Sequence, residues 1–246
     1  MRKTISVLVV CGAFLVGTAP AQAQAVSKDP VRVLKSKLIP GHGVRYTEIA
    51  NWSDGTETSQ AYETKGALQF GKKGLAGYDI VGTAYDDEKD RVIYNGKATY
   101  YSGALAGDLP KGKTWIKVSG GGGMPSQYDQ ILNPTEPTTL SALLNKGKRS
   151  GNTVTGTITF KDLRKVSAWF SRSDLRSWAS DTEVSYKLTF TSAGLVSKLW
   201  SSYTAKGVPL DYEDFEGSTV IVDTRYTGWG AKVSIKTPDP KTVVTE

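Results

Sequence analysis

Glu183-Val184-Ser185-Tyr186-Lys187-Leu188-Thr189-Phe190-Thr191 alternates without a break, with Val184, Tyr186, Leu188 and Phe190 on one side and Ser185, Lys187 and Thr189 on the other. Successive side chains of a strand point to opposite faces. The stretch therefore reads as a strand with one face in a core and one in water, as an antiparallel sheet requires. Ser192-Ala193-Gly194 is a turn, and it sends the chain back through residues 195–204, so this strand brings its own hairpin partner.

Outward from that hairpin the same grammar recurs. Toward the C-terminus, residues 218–226 and 232–236 read as two further strands, and residues 239–246 as a loose polar tail. Toward the N-terminus, residues 153–160 form a strand, followed by a helical stretch within residues 161–179. Residues 125–132 and 138–145 read as two short helices around Asn133-Pro134-Thr135-Glu136-Pro137, with Leu140, Leu143 and Leu144 on one helical face. The flexible run Gly120 to Gly123 separates them from a series of short alternating segments at residues 44–52, 67–72, 78–85, 91–94, 97–101 and 114–118. Gly, Asn and Asp break these segments, and Asn95-Gly96 is a strong hairpin signal, so the series reads as an antiparallel meander. Ahead of it, Asp29-Pro30 suits the cap and first position of a short helix over residues 31–38, although β-branched Val31 and Val33 leave a strand open.

The first 25 residues have a different composition. Arg2 and Lys3 precede an almost wholly apolar run over residues 5–16, and Pro20 then leads into Ala21-Gln22-Ala23-Gln24-Ala25. This is the order of a signal peptide, with cleavage expected after Ala23 or Ala25. The run falls short of the roughly 20 residues that span a bilayer. A secreted or envelope-associated chain is expected, with residues 1–25 removed and residues 29–238 forming a single domain. Cys11 lies inside the apolar run behind Leu8-Val9-Val10, where lipidation would want a small residue, so it is read as part of the discarded signal and not as an anchor. It is the sole cysteine, so neither disulfides nor thiolate metal sites brace the mature chain.

Among its 246 residues the chain carries 31 Lys and Arg against 24 Asp and Glu, a net charge of +7. Such a surface suits anionic partners in a cell envelope, whereas the scatter of the charges, without a basic block, argues against nucleic acid. The one histidine, His42, sits in a glycine-flanked turn and cannot make a multi-histidine zinc site. HExxH and G-x-S-x-G are both missing, and Gly120–Gly123 lacks the Lys-Ser/Thr of a phosphate loop. No cofactor or metal is implied, and the expectation is a non-enzymatic protein. A paired-carboxylate hydrolase stays open, because the separation of two carboxylates is a spatial fact. The acidic stretches Asp86-Asp87-Glu88-Lys89-Asp90 and Asp211-Tyr212-Glu213-Asp214-Phe215-Glu216 lack the spacing of a calcium loop and read as solvated turns.

Several segments together resemble the LolA/LppX-type lipoprotein-carrier superfamily in its actinobacterial secreted branch. They are the Trp115 strand with its glycine-rich loop and Ile131-Leu132-Asn133-Pro134…Leu140-Ser141-Ala142-Leu143-Leu144; Val154-Thr155-Gly156-Thr157-Ile158-Thr159-Phe160; Val184 to Phe190 with Gly194-Leu195-Val196; and Tyr226-Thr227-Gly228-Trp229-Gly230…Val233-Ser234-Ile235…Pro238. The resemblance implies an α+β fold, a curved antiparallel β half-barrel with short helices covering its concave face. It also implies a monomer that holds a lipid or acylated molecule between sheet and helices. Trp115, Ile131, Leu132, Leu140, Leu143, Leu144, Tyr186, Leu188, Phe190, Leu199 and Trp200 would line that space. Burial of alkyl chains drives such binding at about 0.8 kcal/mol per CH₂. The chain departs from lipoprotein members in lacking a lipidation signal. The same letters also serve a filled core, which leaves a second reading: a secreted wall- or protein-binding module with no lipid cargo. For that module Trp169 and Trp178, flanked by Arg164, Arg172 and Arg176, are the surface candidates among the six tryptophans.

Overall fold

Each alternating segment pairs with its neighbour in the chain, and two meanders result. The structure, a computed structural model, describes residues 29–84, 87–120, 129–209 and 215–245. The expected signal peptide of residues 1–25 with Cys11, Asp86, Gly121 to Gly123 and residues 211–214 of the second acidic stretch lie outside the described residues. Helix α1 (Pro30–Lys37) comes first, then β1 (His42–Ser53), β2 (Thr58–Gly71), β3 (Gly74–Ala84), β4 (Lys89–Tyr94), β5 (Ala98–Ser102) and β6 (Trp115–Ser119). Next come α2 (Pro137–Lys146), β7 (Lys148–Ser150), β8 (Thr153–Thr159), α3 (Phe160–Val166), β9 (Glu183–Phe190), β10 (Val196–Thr204), β11 (Thr219–Lys232) and β12 (Val243–Thr245).

Long strands β1 and β11 lie antiparallel, with Glu48 opposite Thr224, and so join the two meanders. The sheet runs β12-β6-β5-β4-β3-β2-β1-β11-β10-β9-β8-β7, antiparallel throughout except for β12 beside β6. Its two end strands do not pair with each other, so it is an open, curved half-barrel of α+β class, as expected. Glycines on the inner face give tyrosine rings room to lie across it. A Cβ on Gly66 would collide with the Tyr46 ring, and one on Gly156 with that of Tyr186.

The helix over residues 31–38 forms as its cap predicts: Asp29 Oδ1 accepts the Arg32 N–H at 2.9 Å, Pro30 opens the helix, and Leu34 is buried. At Asn95-Gly96 the backbone turns with Gly96 at φ 86°, and Asn95 Oδ1 accepts the N–H groups of Lys97 and Ala98, both at 3.0 Å.

Three expectations need correction. Residues 129–132 are not helical: the Gln130 N–H bonds the Glu48 side chain and the Leu132 N–H bonds Gln130 Oε1, so side chains take donors that a helix would need. The helical stretch expected within residues 161–179 is the short α3, followed by two 3₁₀ turns. No separate strand covers residues 232–236, because β11 continues to Lys232 through Gly228 and Gly230, both at positive φ. The C-terminal tail is not loose, since β12 adds in parallel to β6 with Val243 opposite Trp115.

Candidate functional site

The inner face of the sheet is one continuous apolar surface, and α1, α2, α3 and the segment leading into α2 are packed against it. Ile131, Leu132, Leu140 and Leu143 from the covering layer are buried in the same cluster as Tyr186, Leu188, Phe190 and Leu199 from the sheet, and Leu144 is half-buried against it. The Tyr186 hydroxyl donates to the Leu143 carbonyl at 2.6 Å and so ties β9 to α2.

Two of the expected lining residues are elsewhere. Trp200 adjoins Leu199 on one strand, and Leu199 points inward, so Trp200 is on the outer face and half-exposed. Trp115 is also on the outer face: its β6 register matches that of Ser102 and Arg91, and the Arg91 guanidinium sits 5.8 Å from its ring centroid. The surface candidates Trp169 and Trp178 are buried in the core, where Trp169 Nε1 donates to the Gln130 carbonyl at 2.8 Å. Indoles bury large apolar areas, and here that outweighs the basic neighbours read as a surface signal.

The centre of the apolar face also carries polar side chains, which the apolar pattern does not announce. Glu48 on β1 accepts the Gln130 N–H on Oε1 at 2.8 Å and the Thr224 hydroxyl on Oε2 at 2.9 Å. Ser201 donates to Gln130 Oε1 at 2.8 Å, and Thr64 donates to Asp129 Oδ1 at 2.9 Å. With the Gln130 Nε2 donation to the Thr224 hydroxyl at 3.2 Å, these bonds pin residues 129–132 to four strands: β1, β2, β10 and β11. Burial, with the nearby Asp129 charge second, raises the Glu48 carboxyl to about 8. Burial likewise pushes the Tyr46 and Tyr226 hydroxyls beside it well above their usual range. A cavity of about 10 Å³, room for one water, lies between Glu48, Asp129, Asn133 and Trp169. The sequence does hold a signal for this: alternation through Tyr46, Glu48 and Ala50 faces the carboxylate inward and leaves Ile49 exposed.

A second knot lies one turn further along. Glu136, just ahead of α2, accepts the hydroxyls of Thr139 at 2.8 Å and Ser167 at 2.7 Å on Oε2, and the Trp169 N–H at 2.8 Å on Oε1. It thereby fastens α2 to the segment after α3. Within the first acidic stretch, Asp90 is not a solvated turn residue: it is buried, with the Tyr62 hydroxyl at 3.0 Å on one oxygen and the Leu105 N–H at 3.1 Å on the other. Among the described residues no group of three or more His, Cys, Asp or Glu side chains is placed to hold a metal ion. No helix among them is long and apolar enough to cross a membrane. His42 is near the start of β1, its Nδ1 3.3 Å from the Pro40 carbonyl.

No protein-family pattern matches the sequence, and no curated relative matches it. Among solved structures, the chain is similar to a LolA superfamily protein from Nitrosomonas europaea, at 5% identity and a TM-score of 0.35 over 81% of this chain and 90% of that one. It is similar to a DUF1329 family protein from Desulfovibrio piger, at 11% identity and a TM-score of 0.36 over 83% and 93%. A third likeness is to a Vibrio parahaemolyticus domain provisionally named as outer membrane lipoprotein-sorting, at 9% identity and a TM-score of 0.31 over 80% and 91%. Likenesses this loose carry no functional argument.

Proposed function

We propose that this chain is an exported, non-enzymatic binding protein that takes an acyl chain between its curved sheet and the covering layer, and that the closed arrangement of the two is its unloaded form. One observation carries the reading: the apolar inner face of the sheet meets Ile131, Leu132, Leu140 and Leu143 of the covering layer, and the two are joined by polar ties through Glu48, Thr64, Ser201, Thr224 and Tyr186. Apolar contacts of that kind are non-directional, so alkyl groups can replace them at about 0.8 kcal/mol per CH₂ buried. The ligand-lining set is then Ile131, Leu132, Leu140, Leu143, Leu144, Tyr186, Leu188, Phe190 and Leu199, without Trp115 and Trp200.

The small cavity beneath Trp169 favours the second reading, an exported wall- or protein-binding module with a permanently closed interior. Protein purified from its native host, extracted and examined by lipid mass spectrometry, separates the two. A stoichiometric acylated molecule supports the carrier reading. A lipid-free protein that also leaves a fluorescent fatty acid unbound, yet sediments with purified wall material, supports the module.

A further inference from the structure

Outside the apolar interior, the rim of the fold holds an open crevice of about 550 Å³, within the size range of small-ligand sites. The turn between β2 and β3 forms one wall with Lys73, Gly74 and Leu75. The start of α2 and the segment from Arg164 to Arg172 form the other. Its cations are Lys73, Arg164, Lys165 and Arg172. Lys165 is paired with Asp162 at 3.1 Å, but no ion pair among the described residues involves Lys73, Arg164 or Arg172. Arg164 gives one N–H to the Trp178 carbonyl at 2.8 Å and keeps its Nε buried without a partner. Arg172 is braced by the Tyr94 ring, its guanidinium carbon 5.3 Å from the centroid. The one carboxylate in the wall, Glu136, has both oxygens engaged by Thr139, Ser167 and Trp169.

We propose that this crevice binds a phosphate ester group, belonging either to a lipid headgroup or to a free phosphate ester. Arg164, Arg172 and Lys73 line one opening, and phosphate, with more oxygens than a carboxylate, can meet several cations at once and matches the fork of an arginine. Arg164 and Arg172, both half-buried, are also screened less by salt than fully exposed cations. The site does not depend on the interior parting, because its walls are already open.

The test is NMR of the exported chain titrated with inorganic phosphate and with glycerol phosphate, against sodium chloride at matched ionic strength. Saturable amide shifts centred on residues 73–75 and 164–172, weakened about tenfold or more in Lys73→Gln/Arg172→Gln, support the site. Should Arg172→Gln fail to fold, Lys73→Gln in the exposed turn carries the comparison. Sedimentation with phosphatidylglycerol vesicles, competed by glycerol phosphate and lost in the same variants, identifies a lipid headgroup as the source. Binding of glycerol phosphate without vesicle binding identifies a free ester. Shifts that chloride reproduces, or an affinity the double variant keeps, overturn the proposal.

Discussion

Glu48 and Gln130 meet across the interior: a carboxylate oxygen at the centre of the sheet holds the backbone N–H of the covering segment at 2.8 Å. Around that bond sit Asp129, Tyr46 and Tyr226, and the carboxyl is almost completely buried. One protonatable group thus joins the two layers: burial and the Asp129 charge favour its protonated form, and they outweigh the bonds to Gln130 and Thr224, which favour the charged one.

Stability should therefore fall as pH rises through the neutral range. The Glu48 carboxyl is raised from an ordinary 4.5 to about 8, so between those values the native state keeps a proton that the unfolded chain has released. The contribution is whole below about pH 4.5 and is lost as pH climbs through about 8. Glu48→Gln mimics the protonated form and should flatten the profile of melting temperature against pH. A wild-type melt that rises from pH 5 to pH 8, or a variant that tracks it, would sink this account of the clasp.

Glu136→Ala should destabilise the lid without touching the sheet. Its carboxylate satisfies the Trp169 N–H and two hydroxyls, all partly buried. Stranding such donors costs about 1–3 kcal/mol, to be read from urea unfolding. Hydrogen exchange should speed up in α2 and residues 167–172 before it does in β9. Uniform acceleration across the sheet would mean that the knot is not local.

The strands from Val184 to Phe190 and around Asn95-Gly96 are legible in the sequence, because alternation and turn chemistry are local and tertiary packing agrees with them. The start of β2 is not, because Thr58, Ser59 and Gln60 are exposed polar residues whose strand comes from pairing with β1 rather than from pattern. The placement of Leu140 and Leu143 is a consequence of helical spacing. That Trp200 cannot share a face with Leu199 is written in the period of two, and apolarity alone, which groups them, ignores that period. The Glu48 clasp depends on Thr224 and Gln130, distant in sequence, and no local pattern reports such a meeting.

Tyr186→Phe tests the other tie between the layers. The hydroxyl donates to the Leu143 carbonyl at 2.6 Å in a buried setting, and that carbonyl also accepts the Gly147 N–H at 3.0 Å. Because the acceptor keeps one partner, the cost should be modest, about 0.5–1.5 kcal/mol by chemical denaturation. If the lid parts to admit an acyl chain, the variant should bind a fluorescent fatty acid more tightly than wild type, since loading no longer breaks this bond. Unchanged or weaker binding would count against a lid that lifts at α2.

Removing residues 240–246 should loosen β6 and little else. Strand β12 holds β6 by parallel pairing, and the Thr114 N–H reaches the Thr242 carbonyl at 3.0 Å. Lys113 Nζ donates to the carbonyls of Lys241 at 3.0 Å and Val243 at 3.2 Å. Val243 and Val244 are only half-buried and stand outside the apolar cluster, so the truncation removes an edge cover and not core. Exchange of the β6 amides should quicken while the global melt moves by only a few degrees, as ~1 kcal/mol would do in a chain of this size. The freed edge of β6 would then offer unpaired backbone groups, and the truncated chain should self-associate more readily in sedimentation than the full one. A collapse of the whole fold on truncation would show instead that β12 belongs to the cooperative core.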